Sequence, residues 1–343
     1  MKWGVHMKWI KKHKFLTAFL LILLLLVGTV VGFVISKLKL IDYNDGSLEG
    51  LRLEDFFNAD EEDFDLDFSG LEEMEGFPQI PDAEIQRDDD VINILLLGTD
   101  VHTENNLDHA RSDCTMIISI NKSDKTVKLV SLERAIGVYM RFGEREGKYD
   151  YLTHAFRWGG AKLVQDCVEQ HLRVEIDYYV RVTFDTVRTV VDAIGGVDME
   201  LTGPEAGALE GSYPYIRSGM NHLNGEQALA FARLRHIDSD WRRVERQRKV
   251  ILAAVDAMKG ANLKQLNDLL NETLPMIQTD MSMLQIADLM LYAPNFLQSE
   301  FDQMTIPQEG TYGYASGIKG FAVDYEVNSQ ILRDFLYGTG EDE

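Results

Sequence analysis

VINILLLGTD, residues 91–100, is the stretch that decides the fold. A strand with one wet face alternates apolar with polar residues. A strand buried on both faces does not. VINILLLG is an apolar run that closes on a glycine, so it reads as a central strand of a covered sheet. CTMIISI (114–120) and KTVKLVSL (125–132) read as two further strands, joined by the turn-forming NKSD. Helical patterns follow at 151–172, 184–196, 223–233, 241–258, 262–274 and 282–298, with strand patterns at 177–184, 197–201, 301–307 and 320–326. In the third helix Asn224 is placed to cap, and before the fourth Asp240 is. Strands and helices interleave without internal repeats. The expected fold is therefore α/β, a three-layer α-β-α sandwich around a central mixed sheet.

Outward from that domain the texture changes. The chain has 343 residues and a formal net charge of −22. Residues 1–41 hold seven Lys/Arg and no acid, whereas residues 42–90 hold 19 acids against two bases. The folded remainder is only moderately acidic, which argues against binding bulk nucleic acid. Residues 15–35, FLTAFLLILLLLVGTVVGFVI, are 21 residues without a charge, long enough to cross a hydrocarbon core of about 30 Å. Lysines 2, 8, 11, 12 and 14 precede them. The positive-inside rule then predicts a cytoplasmic basic tail (1–14), a transmembrane helix (15–35) and an outer domain (91–343). The uncharged run exceeds a signal-peptide core, and no A-x-A-like site follows it. Residues 36–90 read as an extended acidic extracellular linker in which Phe and Leu alternate with acids. Cys114 and Cys167 fall in apolar patterns and read as two buried free thiols.

Ligands of open α/β sheets sit beyond the carboxyl ends of the strands. Asp100 ends the first strand, and Arg111 and Asp113 precede the next. If those strands are adjacent and antiparallel, both carboxylates reach one rim. Two acids and an arginine there suit Mg²⁺ with a bound phosphate; turn residues are the plainer alternative. Arg134 follows the third strand, either as an anion ligand or in a rim salt bridge, for instance to Glu133. ARLRHIDSDWRRVERQRK, residues 232–249, gathers six arginines and a lysine. Arg233 and Arg235 share a side if extended. Arg243, Arg246 and Gln247 share a helical face, whereas Arg242, Arg248 and Lys249 read as solvated. Such a cluster suits pyrophosphate, or else a surface network of ion pairs. His154, Phe156 and Trp158 in THAFRWGG read as structural.

NILLLGTD, RSDCTMIISI, KLVSLER, THAFRWGG, DYYVRVTFDTVRTVVDAIGGVDMEL, LNGEQALAFARLRH and DSDWRRVERQR together resemble the LytR–CpsA–Psr family of bacterial envelope proteins. The resemblance is strongest over 91–258. It implies a magnesium- or manganese-dependent phosphotransferase. Such an enzyme moves a teichoic-acid-like or capsular glycopolymer from a polyprenyl-pyrophosphate carrier to peptidoglycan. It further implies that Asp100 and Asp113 hold the metal. Arg111, Arg134, Arg233, Arg235, Arg243 and Gln247 hold the pyrophosphate, the first four being catalytic. Arg246 could instead pair with an acid. The chain departs from the family at Glu133, at Ala135 where an Asp is usual, and at Tyr151 where a Lys is usual. Those departures keep two alternatives open: a tethered, non-catalytic binder of lipid-linked glycans, and a lipid pyrophosphate hydrolase.

Overall fold

The computed structural model describes residues 32–33, 35–43, 79–99, 111–235, 237–296, 299, 301–314 and 320–338. Nearly all of the run read as a span lies outside these residues, as does Asp100. Among the described residues no helix is long and apolar enough to cross a membrane.

In chain order the elements are β1 (Asp42–Tyr43), β2 (Val91–Thr99), β3 (Ser112–Asn121), β4 (Thr126–Leu132), β5 (Gly137–Met140), β6 (Lys148–Tyr151), α1 (Leu152–Leu172), β7 (Tyr178–Thr183), α2 (Phe184–Ala193), β8 (Val197–Leu201), α3 (Gly203–Glu210), β9 (Gly219–Leu223), α4 (Gly225–Ala232), α5 (Asp240–Lys259), α6 (Leu263–Thr273), β10 (Gln278–Thr279), α7 (Met283–Phe296), β11 (Phe301–Ile306), β12 (Tyr312–Tyr314), β13 (Phe321–Val323) and α8 (Tyr325–Tyr337). Seven strands form one sheet in the order β1-β10-β7-β2-β3-β4-β11. β2 runs antiparallel to β3 and parallel to β7, and β4 runs antiparallel to β3 and parallel to β11. The mixed central sheet is as expected, with β2 in its middle.

Pairing explains the apolar runs. Leu95, Leu97, Ile117, Val130 and Leu132 point to one face and pack on Leu152, Phe156 and Val164 of α1 and Leu332 of α8. Met116 and Leu129 point to the other face and are also buried. There α5 covers the sheet, and Arg248 Nη1 donates to Ser131 Oγ and Thr305 Oγ1, each at 3.0–3.1 Å, and to the Met304 carbonyl at 3.0 Å. Arg248 is therefore half-buried and turned onto the sheet, not on a solvated face. Arg242 and Lys249 do stay at the surface, both paired with Glu245. A second core joins α2, α4 and α5 to the β8–β9 hairpin through Val191, Val197, Leu223, Phe231 and Val250.

Several expectations are sharpened. Asn224 caps α4, its side chain accepting from Gln227 N–H at 2.9 Å. Ser239, not Asp240, is the cap residue of α5, because the helix starts one residue earlier than read. Both cysteines are free. The linker 36–90 is anchored at both ends. β1 adds to the sheet edge on β10, and Arg173 Nε donates to the Pro81 carbonyl at 2.8 Å, with Gln86 bridging to Val174. The segment between, 44–78, lies outside the described residues.

His171 closes α1 against β5 and α8. Its Nε2 accepts from Tyr139 N–H at 3.0 Å, so the proton sits on Nδ1, which donates to the Cys167 carbonyl at 2.8 Å. Burial pulls its pKa down to about 4 from the ordinary 6.5. The unfolded chain therefore takes the proton first, and the neutral ring's contribution is complete only above the ordinary value. Urea unfolding should show stability falling from pH 6.5 towards 4, by at most about 1.4 kcal/mol per unit from this group. The difference between wild type and His171→Gln isolates that slope, since the Gln variant lacks the titration.

Candidate functional site

The carboxyl ends of β2, β4 and β7 and the start of β3 meet at one rim. β2 and β3 are adjacent and antiparallel, the condition for bringing Asp113 to the end of β2. Their register shifts between Gly98 and Thr99, so Cys114 pairs with Gly98, Ser112 with Thr99, and Asp113 lies between. A Cβ at Gly98 would lie 2.8 Å from Cys114 Cβ, so a larger residue would spread the strands here.

Asp113, nearly buried, is the hub. Its Oδ1 accepts from Arg134 Nη1 at 3.0 Å and its Oδ2 from Arg235 Nη2 at 3.3 Å. Its carbonyl accepts from Gln247 Nε2 at 3.2 Å. Three segments distant in sequence are so drawn to one residue, two of them to its carboxylate. Arg134 thus pairs with Asp113, while Glu133 is buried below it. Thr153 ties α1 to the same rim: its N–H donates to the Arg134 carbonyl at 3.0 Å and its hydroxyl to the Ser112 carbonyl at 3.1 Å. Arg111 is half-buried just before β3. Arg243 is buried on α5, close enough to favour the Cys114 thiolate, though burial outweighs it and pushes that thiol up to about 12.

Arg233 and Arg235 diverge, because Arg233 ends α4 and the chain there is not extended. Arg233 lies over the Phe184 ring at 4.5 Å, at the end of β7, while Arg235 turns to Asp113. Arg246 is not available to a ligand. It is buried at 1% exposure and grips Asp238 with both Nη atoms at 2.6 and 2.9 Å, with the Leu234 carbonyl at 3.0 Å. Pairing with an acid was the alternative for this residue, and it prevails. The sequence reading missed Asp238 and Phe184 as supports. The Asp–Arg spacing of 238 and 246 was visible, but the buried fork was not.

His154 is structural in its bonding. Its Nδ1 lies 2.8 Å from Asp150 Oδ1, and Asp150 Oδ2 accepts from Trp158 Nε1 at 2.8 Å. Phe156 is core. At 135 the side chain is a methyl, and the Ala135 carbonyl accepts from Phe321 N–H at 2.8 Å. Tyr151 is buried.

Among the described residues guanidinium groups outnumber carboxylates at this rim, so it suits a compact polyanion. Each charge-assisted bond it offers is worth about 1.5–3 kcal/mol. Asp113 also fits a divalent cation in donor type. Both its oxygens are carboxylate donors of the hard type Mg²⁺ takes, and Mg²⁺ needs few protein carboxylates when phosphate supplies the rest. Among the described residues no group of three or more His, Cys, Asp or Glu could hold a metal unaided.

A sequence model of the LytR_cpsA_psr family matches residues 67–334. An Enterococcus faecalis protein, polyisoprenyl-teichoic acid–peptidoglycan teichoic acid transferase TagU, is 32% identical over 248 residues, covering 71% of this chain and 78% of the relative. The TagU of Bacillus mycoides is 34% identical over 228 residues, covering 64% and 69%. The fold is similar to that of TagT bound to LI-WTA, with a TM-score of 0.59 and 25% identity over 73% of this chain and 93% of that one.

The two kinds of arginine should separate in urea denaturation. Asp238→Ala leaves the buried Arg246 guanidinium with Glu205 at 3.7 Å and the Leu234 carbonyl, without its close carboxylate, and should cost about 3 kcal/mol. Arg134→Ala removes a partly exposed group and should cost under about 1 kcal/mol.

Proposed function

We propose, from the premise that this chain belongs to the LytR–CpsA–Psr family, that it is a glycopolymer phosphotransferase. It moves a teichoic-acid-like or capsular polymer from a polyprenyl-pyrophosphate carrier to peptidoglycan. The observation that carries this reading is the arginine cluster centred on Asp113. A pyrophosphate bears two to three negative charges, and the rim supplies forked donors from several directions.

The chemistry follows from those residue types. An acceptor hydroxyl oxygen bonds to the phosphorus that carries the glycan. The bond from that phosphorus to the bridging oxygen breaks, and polyprenyl monophosphate leaves. The product is a phosphodiester between polymer and acceptor, and the hydroxyl proton passes to solvent. Such transfer depends on positioning and on charge stabilisation. Arg134 and Arg235 are oriented by Asp113, and both can turn a donor to the phosphate. Gln247 and Arg243 come from α5, and Arg233 is steadied by the Phe184 ring. Arg111 completes the set from the β3 side. Asp113 and Asp100 would hold Mg²⁺, which when bound neutralises phosphate charge.

The anchoring belongs to the same proposal. Residues 15–35 span the membrane of a Gram-positive bacterium once, with residues 1–14 inside and the domain outside. Support comes from the uncharged run and the flanking lysines. One observation favours the tethered binder as a second reading: position 135 carries a methyl where the family has a carboxylate.

The test uses the full chain in detergent with a labelled lipid-pyrophosphate glycan and peptidoglycan fragments. Label should appear on the fragments as polyprenyl monophosphate is released. Arg134→Ala should lower kcat/KM by about 10²–10³, and EDTA should abolish transfer until Mg²⁺ is restored. Tight binding without turnover would establish the binder, and free glycan the hydrolase.

A further inference from the structure

The segment that joins the apolar run to the domain is not a free tether. Residues 35–38 are helical, and a turn carries the chain into β1, with Leu40 N–H donating to the Lys37 carbonyl at 2.9 Å. Lys37, Leu38 and Ile41 are buried. The Lys37 ammonium donates to Asn271 Oδ1 at the end of α6. β1 then pairs with β10, placing Asp42 beside Gln278 and Tyr43 beside Thr279. A lysine so buried and bonded fixes the height of the chain, because moving it would expose Leu38 and Ile41 and strand Asn271.

The register gives the direction. Gln278 pairs with Arg181, and Arg181 with Leu97; Thr279 pairs with Val180, and Val180 with Leu96. Passing from Asp42 to Tyr43 therefore descends from the level of Leu97 to that of Leu96. The chain therefore enters β1 from the side of the carboxyl end of β2. That is the end where Thr99 meets Ser112 and Asp113 carries Arg134 and Arg235. Asp42 is two residues, about 7 Å, below the Thr99–Ser112 level and four strand spacings, about 19 Å, to the side of β3. The described segment before β1 thus approaches from the same end as the site. Phe33, Ile35 and Leu40 are exposed on that segment.

We infer that residues 35–43 act as an edge-strand clamp that presses the site-bearing end of the domain onto the bilayer. Phe33, Ile35 and Leu40 lie in the headgroup–acyl boundary. The inference rests on the reading of 15–35 as a span and extends the transferase reading: a lipid-linked pyrophosphate reaches the rim without leaving the bilayer surface. The opposite end, with the β3–β4 turn at Ser123, faces away, about 30 Å along the strands. Fixing the height of the site raises its effective concentration towards a donor confined to the membrane.

The experiment uses the full chain in liposomes that carry a quencher on the lipid headgroup. A fluorophore is placed at Ser239→Cys, just before α5 at the site end, or at Ser123→Cys. Strong quenching at 239 and little at 123 is the expected result; equal quenching overturns the inference. Two variants release the clamp differently. The double change Leu38→Ser and Ile41→Ser undocks the segment. A 12-residue Gly/Ser insertion between Ile35 and Ser36 keeps it docked but adds a flexible reach of about 20 Å. Both should bring quenching at 239 down to the level at 123. Transfer from a bilayer-embedded donor should fall about tenfold, while transfer from a short water-soluble prenyl donor stays unchanged. An insertion that alters neither quenching nor transfer also overturns it. No transfer from either donor, with the quenching difference intact, sinks the transferase reading and leaves the orientation standing.

Discussion

One carboxylate holds the rim together. Asp113 accepts from Arg134, Arg235 and, through its carbonyl, Gln247, so the end of β4, the coil after α4 and the middle of α5 converge on β3. Without that negative charge, two guanidinium groups would face each other across a nearly buried space. With it, each is bonded to its own carboxylate oxygen. A compact polyanion at the rim would meet donors already oriented, with little ordering entropy left for binding to supply.

That hub depends on a sheet covered on both sides. Much of this was legible in the sequence. VINILLLG could only be a central strand, and CTMIISI and KTVKLVSL alternate far less than a half-wet strand would. Asp113 and Arg134 were legible too, because a charge directly at the end of an apolar strand lies at the sheet's rim. The strand β8 was legible at 197–201, but its partner β9 and the small hairpin β5–β6 were harder, since each owes its existence to packing against a distant partner. β5 is held by α1 through His171, and β9 by its pairing with β8. Their local patterns are too short to announce a strand. Position 100, read as a metal ligand, lies outside the described residues.

The arginines illustrate the limit best. Spacing alone put Arg243, Arg246 and Gln247 on one face of α5 and set Arg248 aside. The fold assigns them separate tasks. Gln247 reaches Asp113, Arg246 is consumed by Asp238, and Arg248 stitches the helix to β4 and β11. Helical periodicity gives the angle of a side chain about its axis. It does not say how deep the neighbouring layer lies, and depth is what separates a ligand-facing guanidinium from a buried strut. Arg233 and Arg235 differ for a related reason. The helix ends between them, so two residues with the same charge and nearly the same address leave in different directions.

The two free cysteines have a consequence of another kind. Cys114 sits beside the arginine-lined rim and Cys167 in the core under α1, and burial raises the pKa of both thiols. Only a thiolate attacks a disulfide or a peroxide quickly. In the native chain both sulfurs therefore hold little thiolate, Cys167 fully buried and Cys114 half-buried. Before β3 and α1 have packed, neither is shielded, and 52 residues separate them, a loop short enough to close by chance. Resistance to oxidation is thus acquired on folding. The interval in which the chain can be trapped by a wrong sulfur bond is the time its central sheet takes to assemble.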